Sequence, residues 1–205
     1  MKTNLFYLLL WAMIFIGIKS LEPSLGKKIS LGQVKNSPIP GITYKAGINE
    51  KNNGKSSKEY TKTRGSCEAN PSIKSKAASL IAGKSKTLDK AKALYNFVKS
   101  SIEYEFYSGT KYKASGTMSK RKGNCCDQAN LLVSLCRISG IPAKYAHGQG
   151  CRFKSGTYGH VWVQILVDDI WYAADPTSNS NSLGFIKNWD INNFHSLKQY
   201  QFLNF

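Results

Sequence analysis

Apolar residues recur at helical spacing in the segment that follows residue 70. Asn70 is suited to cap a first helix over residues 71–82, because proline at the first helical position follows it and Gly83 closes the pattern. Thr87 can cap a second helix that extends to residue 102, where the apolar residues form one continuous stripe. The pattern therefore predicts two consecutive amphipathic helices that pack on a core.

A third helix is predicted to begin at Asn124 or Cys125, with a buried face and an end at Gly140-Ile141-Pro142. Between the second and third helices, residues 104–122 lose the periodicity and are aromatic, glycine-containing and basic. We expect a loop there, and loops often carry functional groups.

Strand patterns follow the third helix. Asp168-Asp169 is a turn between two apolar segments that we expect to form a hairpin. The predicted strands are 143–147, 160–167, 170–174 and 199–203. Helices followed by such a sheet predict an α+β domain in which N-terminal helices pack on an antiparallel β-sheet.

The first twenty residues have the pattern of an export signal. Lys2 precedes an apolar run over residues 5–18. Fourteen residues at helical rise span about 21 Å, which is shorter than the ~30 Å of a bilayer core. The pattern predicts a signal peptide over residues 1–20, and an uncleaved N-terminal membrane anchor is the alternative because no A-x-A cleavage pattern follows.

Charge favours an acidic partner. The 205 residues hold 29 Lys and Arg against 12 Asp and Glu, a net charge of +17, and 41% of them are apolar, so a wholly disordered chain is excluded. Residues 21–66 are polar and basic and are predicted to be a flexible tether, which leaves residues 67–205 as the domain. An exported chain makes an anionic cell-wall polymer the expected partner and argues against nucleic acid, whereas a merely solubilising surface is the alternative.

Three residues of the predicted domain have the chemistry of a nucleophile and its base. Cys125 lies in the first turn of the third helix, where free N–H groups favour a thiolate. His160 and Asp175 lie near the same open end of the predicted hairpin. Together they predict a Cys-His-Asp arrangement for acyl transfer, although each residue alone has a structural alternative: a packed thiol, a strand-end histidine or the cap of an Asp-Pro turn.

The sequence of this region resembles that of a known superfamily. The segments GNCCDQANLLVSLCRISGIPAKYAHG, GHVWVQ and WYAADPTS occur in the order found in transglutaminase-like cysteine hydrolases. Further segments, among them TYGHVW and SNSLGFIKNW, are similar to the pseudomurein endoisopeptidases of methanogenic archaea and their viruses. The resemblance covers residues 67–205 and implies a transglutaminase-like, papain-like fold.

The resemblance also implies an activity. By position, Cys125 is the nucleophile, His160 the general base and later acid, and Asp175 its orienting partner. The implied reaction is hydrolysis of an isopeptide bond in the peptide cross-bridges of pseudomurein, an anionic polymer. A protein-crosslinking transglutaminase and a non-catalytic wall-binding module are the alternatives. We expect a monomer without a cofactor.

The other cysteines need separate interpretations. Cys136 is predicted to be a core residue and Cys126 to pack beside the nucleophile. Cys67 opens the domain and Cys151 precedes the strand of His160, so these two are the predicted disulfide of an exported chain. No CxxC or HxxxH spacing supports a metal site.

Three further polar residues are candidates for contact with substrate. Tyr107 and Tyr112, in the predicted loop, could donate to an oxyanion or line the cleft, and aromatic packing is the alternative. His147 could be a second base, but a structural or substrate-contacting role fits its position at a strand end better.

Overall fold

The computed structural model describes residues 32–33 and 37–205, and the predicted signal segment lies outside this part. Four α-helices are described: α1 (Pro71–Ile81), α2 (Thr87–Ser101), α3 (Lys113–Lys120) and α4 (Cys125–Ile138). In the described part of the chain, no helix is both long enough and apolar enough to span a membrane.

The predicted helix starts are largely confirmed. The side chain of Asn70 accepts a hydrogen bond from the backbone N–H of Ile73 at 2.9 Å, as an N-cap does. Asn124 caps α4 in the same way, accepting from the N–H of Asp127 at 3.0 Å. Thr87 is the first residue of α2 rather than its cap, because Lys86 occupies the cap position without a side-chain bond.

The loop prediction for residues 104–122 is wrong over α3. The inward positions of α3 are only Ala114, Thr117 and Met118, so the hydrophobic period is too short to recognise in the sequence. Packing against α4 stabilises such a short helix, since two turns are marginal in isolation. Two short parallel strands flank it, β4 (Glu103–Tyr104) and β5 (Lys122–Gly123).

A six-stranded antiparallel sheet forms the second layer, with the order β10-β6-β7-β8-β3 and with β9 also paired to β6. Its strands are β3 (Glu50–Lys51), β6 (Ala143–Phe153), β7 (Gly156–Val167), β8 (Ile170–Ala174), β9 (Trp189–Asp190) and β10 (Ser196–Tyr200). A separate pair joins β1 (Gly32–Gln33) and β2 (Thr43–Tyr44). The α+β prediction is confirmed.

The predicted strands are present, with shifted ends. Residues 170–174 form β8 as predicted. The first predicted strand extends six residues further, through a bulge between Gly148 and Cys151. The last one begins at Ser196 rather than at residue 199. At the hairpin turn, Asp168 and Asp169 have φ of +49° and +61°, a conformation in which aspartate is tolerated.

Side chains from the two faces of the sheet enter two hydrophobic clusters. The larger cluster contains side chains from the helices and, from the sheet, side chains such as Tyr145 and Val161. The smaller cluster lies on the opposite face and contains Trp162, Ala146 and Trp189. Helix α4 is at the centre of the larger cluster, and its residues from Cys126 to Arg137 are all buried.

The prediction of a flexible tether over residues 21–66 is wrong for residues 37–66. Ile42 and Ile48 are buried, and β3 pairs with β8 in the main sheet. The buried Asn49 side chain bonds to three backbone groups, those of Thr43, Gly184 and Ala173. The local composition does not indicate this packing. A few apolar residues separated by polar ones are enough for burial when the rest of the domain supplies their partners. The folded unit therefore includes residues before the predicted boundary at residue 67.

The predicted disulfide between Cys67 and Cys151 is also wrong. All five cysteines within the described residues are free thiols. Cys67 is buried on the helix side of the sheet, with its sulfur 3.6 Å from the Arg137 guanidinium. Cys151 is buried in the cluster on the opposite face. The sheet separates the two sulfurs, so no disulfide can join them without rearranging the core.

Candidate active site

Cys125 is the first residue of α4, where the chain turns from β5 into the helix. Its thiol is partly exposed, whereas the other four cysteines are buried. The first N–H groups of a helix have no intrahelical acceptor, and the positive end of the helix dipole lies there. This position favours a thiolate that substrate can reach.

His160 and Asp175 meet as the hairpin geometry predicts. His160 lies on β7, and Asp175 directly follows β8, which pairs with β7. The distance between Nε2 of His160 and Oδ2 of Asp175 is 2.9 Å, and both side chains are buried. Cys125 lines the same cleft as His160, and the charge and hydrogen bonding of this imidazole lower the pKa of the Cys125 thiol. Because Nε2 is occupied by the carboxylate, Nδ1 is the nitrogen available to the thiol.

The Asp175 carboxylate is held by several donors. Oδ2 also accepts from the indole Nε1 of Trp189 at 3.0 Å, and Oδ1 accepts from the N–H and the hydroxyl of Thr177 at 3.1 and 2.7 Å. Burial by itself would raise the pKa of Asp175, but the charge of His160 and these hydrogen bonds lower the pKa below its ordinary value. Asp175 is therefore an ionised anchor for the imidazole.

Opposing effects act on His160 as well. Burial tends to lower the pKa of the imidazole, yet the charge and hydrogen bond of Asp175, together with Cys125, raise it to about 10. The ring is enclosed by Phe153, Trp162 and Trp189, with centroid distances of 5.1, 6.1 and 5.8 Å. This aromatic enclosure excludes water and fixes the ring orientation.

The pKa of the Cys125 thiol lies well below its ordinary value. The largest cause is a hydrogen bond from the Cys126 thiol, which outweighs burial, and the hydrogen bond and charge of His160 add to it. The pKa of Cys126 is raised by its interaction with Cys125 and by burial. Cys125 and His160 thus favour a thiolate–imidazolium pair, and the buried Cys126 packs in the core cluster that Cys125 adjoins.

The loop before α3 is held by Asp127, a carboxylate in the first turn of α4. Asp127 is fully buried and accepts hydrogen bonds from the Tyr107 hydroxyl at 2.5 Å and from the N–H groups of Lys111, Tyr112 and Lys113 at 3.0, 2.9 and 2.7 Å. The Asn124 amide donates to the carbonyl groups of Tyr107 and Gly109 at 2.9 and 2.6 Å. An N-cap and a first-turn carboxylate are common at helix starts, so only the fold reveals that these two residues fix the loop beside Cys125.

A cleft of about 1020 Å³ opens over Cys125 and His160. Side chains from the loop form one wall, and β6 and β7 form the other. Of the five exposed large hydrophobic residues in the described chain, four line this cleft: Tyr104, Phe106, Tyr158 and Phe205. Among the described residues, no Asp, Glu, Lys or Arg lines it, so the cleft suits an uncharged group next to the bond that reacts.

The remaining candidates have different positions. The Tyr107 ring lines the cleft, but its hydroxyl donates to Asp127 and accepts from the Asn124 N–H at 3.0 Å, so it is already engaged. Tyr112 lies outside the cleft lining and donates to Glu105 at 2.9 Å. His147 lines the cleft, 2.9 Å from the Gln149 amide, and burial lowers the pKa of its imidazole.

Within residues 37–205, His, Cys, Asp and Glu side chains form no cluster of three or more that could hold a metal ion.

Comparisons with known proteins place the fold. The transglutaminase-like superfamily model matches residues 74–176, which include Cys125, His160 and Asp175. No curated protein matches the sequence. A candidate cysteine protease of Cytophaga hutchinsonii is similar in structure, with 20% identity and a TM-score of 0.56 over 69% of this chain and 46% of that one. The periplasmic domain of TgpA from Pseudomonas aeruginosa gives 18% identity and a TM-score of 0.48 over 60% of this chain and 48% of that one.

The chain thus spans about half the length of these solved structures, and at such identities the likeness concerns the fold alone. The fold agrees with the family model, since four helices pack on a curled antiparallel sheet. The family model covers half of the chain, from α1 to the residue after Asp175. The chain therefore belongs to the transglutaminase-like superfamily.

Proposed function

We propose that the chain is a cysteine peptidase that hydrolyses isopeptide bonds in the peptide cross-bridges of pseudomurein. The observation that carries the proposal is the 2.9 Å contact between His160 Nε2 and Asp175 Oδ2, with Cys125 lining the same cleft as this imidazole. A binding module would need neither this alignment nor a thiol of lowered pKa, so the geometry favours an enzyme over the wall-binding alternative.

The proposed reaction has two steps. The Cys125 thiolate attacks the carbonyl carbon, and N–H groups in the first turn of α4 stabilise the oxyanion. The C–N bond breaks as the His160 imidazolium gives its proton to the leaving amine, which leaves a thioester. Water then attacks the thioester while His160 takes its proton. The C–S bond breaks, the acid is released and the thiolate–imidazolium pair returns.

Two features support the wall polymer as substrate. The segments TYGHVW and SNSLGFIKNW are similar to pseudomurein endoisopeptidases, and they contribute His160 and Trp189 to the site. The net charge of +17 suits a polymer that carries carboxylates. With the apolar run of residues 5–18 as an export signal, we place the protein outside the cell or tethered to its membrane.

Purified pseudomurein tests the proposal. Incubation with the wild-type protein should release new primary amines, and Cys125→Ala should release none while keeping the wild-type circular dichroism spectrum. A fluorescent primary amine added to the reaction separates hydrolysis from transamidation. Amine release without label incorporation supports the peptidase, whereas label joined to the acyl groups would identify the transglutaminase alternative. Failure of both reactions on pseudomurein would overturn the proposed substrate.

A further inference from the structure

Helices α1 and α2 form a strongly basic hairpin, residues 71–101. Seven lysines lie in this hairpin against one aspartate, a net charge of +6. None of these lysines forms an ion pair with the described acidic residues. Four of them are exposed: Lys74, Lys84, Lys86 and Lys92. The hairpin thus presents cations that no carboxylate of the fold neutralises.

The basic surface continues into a groove at the end of α2. This groove has a volume of about 520 Å³ and is lined by Lys99, Arg121, two serines of α2, Ser178 and Asn179. In the part of the chain that the structure describes, Glu103 is its one carboxylate. The Arg121 guanidinium lies over the Phe97 ring at 5.2 Å, and the Lys76 ammonium lies over the same ring at 5.4 Å. Cations of α1 and of the groove therefore converge on one side chain of α2.

The groove also adjoins the candidate active site. Tyr104 and Thr177 line both the groove and the cleft over Cys125. Thr177 in turn donates two hydrogen bonds to Asp175. A long ligand bound in the groove would therefore lie next to the cleft.

The chemistry of this surface selects the class of ligand. The hairpin contributes none of the exposed large hydrophobic residues, so it offers nothing to insert into a membrane. Its aromatic rings are unavailable for base stacking, because Tyr95 is buried and Phe97 is covered by two cations. The groove, in contrast, combines cations with hydroxyl and amide groups, which suit carboxylates and sugar hydroxyls.

We propose that the basic hairpin and its groove bind an anionic polysaccharide and lead the peptide it carries into the cleft. The proposal rests on the proposed function for what happens to that peptide. It replaces the predicted basic tether as the wall contact, since residues 37–66 pack into the domain. Long-range attraction from unpaired lysines would hold the polymer while the uncharged cleft accepts a neutral segment.

Binding can be tested without turnover. Full-length Cys125→Ala protein is titrated with polygalacturonate, a soluble polyuronate, at low and at physiological salt. The hairpin variant replaces Lys74, Lys84, Lys86 and Lys92 with Gln. A matched control replaces the equally exposed Lys51, Lys55, Lys58 and Lys198 with Gln, so that both proteins lose four charges. The hairpin variant should bind about tenfold more weakly than the control, with a smaller loss on raising salt. Arg121→Asn should weaken binding as well, and asparagine tolerates the positive φ of that residue.

Each outcome decides the proposal. Equal weakening in the two fourfold variants would overturn it, because net charge rather than the hairpin would then govern binding. Duplex DNA and vesicles of anionic lipid serve as competitors, and a hairpin that binds either of them more tightly than polygalacturonate would overturn the assigned class. Since no bond is cleaved in this assay, the surface can be confirmed even where pseudomurein is not hydrolysed.

Discussion

The indole of Trp189 donates to Oδ2 of Asp175 at 3.0 Å, and this is the same oxygen that holds His160. One carboxylate oxygen therefore links a residue of β9 to the imidazole on β7. The charge of Asp175 depends in part on this donor, and the raised pKa of His160 depends on that charge.

Trp189→Phe should keep the ring and remove only the donor. Loss of the hydrogen bond should raise the pKa of Asp175 and lower the pKa of His160, so the alkaline limb of activity should move to lower pH. A hydrogen bond to a charged group contributes on the order of 1.5–3 kcal/mol, which predicts at least a tenfold loss of kcat/KM. The full pH profile of kcat/KM measures both effects. An equal loss of kcat/KM at every pH, without a shift of the alkaline limb, would mean that Trp189 contributes packing alone.

The two neighbouring thiols should respond differently to substitution. Iodoacetamide near neutral pH should label Cys125 first and abolish activity, because the pKa of this thiol is lowered and Cys125 lines the cleft. Cys126→Ala should stay active but should raise the pKa of Cys125, so the pH midpoint of alkylation should move upward. Cys126→Ser keeps a donor and should lie near the wild type. An inactive Cys126→Ala combined with an active Cys125→Ala would show that the nucleophile is misassigned.

Stability should fall as pH rises above neutrality. The pKa of His160 is about 10 in the fold against an ordinary value of 6.5, so its contribution is complete below pH 6.5 and is lost as pH rises through about 10. Asp175→Asn removes the charge that raises this pKa and should flatten the dependence. Urea unfolding between pH 6 and pH 10 compares the two proteins. Parallel curves would exclude the Asp175–His160 pair as the source of the dependence.

Asp127→Asn should loosen the loop beside Cys125. An amide offers a single acceptor oxygen, whereas the carboxylate receives four hydrogen bonds from the loop, so we expect a loss of roughly 3 kcal/mol in the free energy of unfolding. Hydrogen exchange should rise over residues 105–113. Asp89→Asn is the control, since Asp89 also lies in the first turn of a helix but is exposed, and it should change stability by less than about 0.5 kcal/mol. Equal effects of the two substitutions would show that the loop bonds contribute little.

Local chemistry predicts much of this fold and site. Asn70 and Asn124 act as caps, the turn at Asp168 and Asp169 forms the hairpin, and the register of that hairpin brings His160 to Asp175. These features depend on a few neighbouring residues or on one strand pairing. Sequence patterns describe such short-range relations well.

The features that the sequence does not predict depend on contacts between residues that are far apart in the chain. Ile48 and Asn49 owe their burial to partners more than 100 residues away, such as Ala173 and Gln164. Trp189 reaches Asp175 only because β9 pairs with the far end of β6. The disulfide prediction used spacing along the chain, whereas the face of the sheet decides which sulfurs can meet. None of these partners can be read from neighbouring residues.

Strand β3 has a consequence for any shortened form of the protein. β8 is buried along its whole length, β3 covers its outer edge, and the Asn49 side chain accepts from the N–H of Ala173. A protein that begins at Ser66 would lack this cover and would expose an apolar strand edge directly before Asp175. Unpaired edges of that kind pair with other chains. Loss of activity in such a protein would then reflect self-association and a displaced carboxylate, and light scattering would reveal it before any assay on the wall.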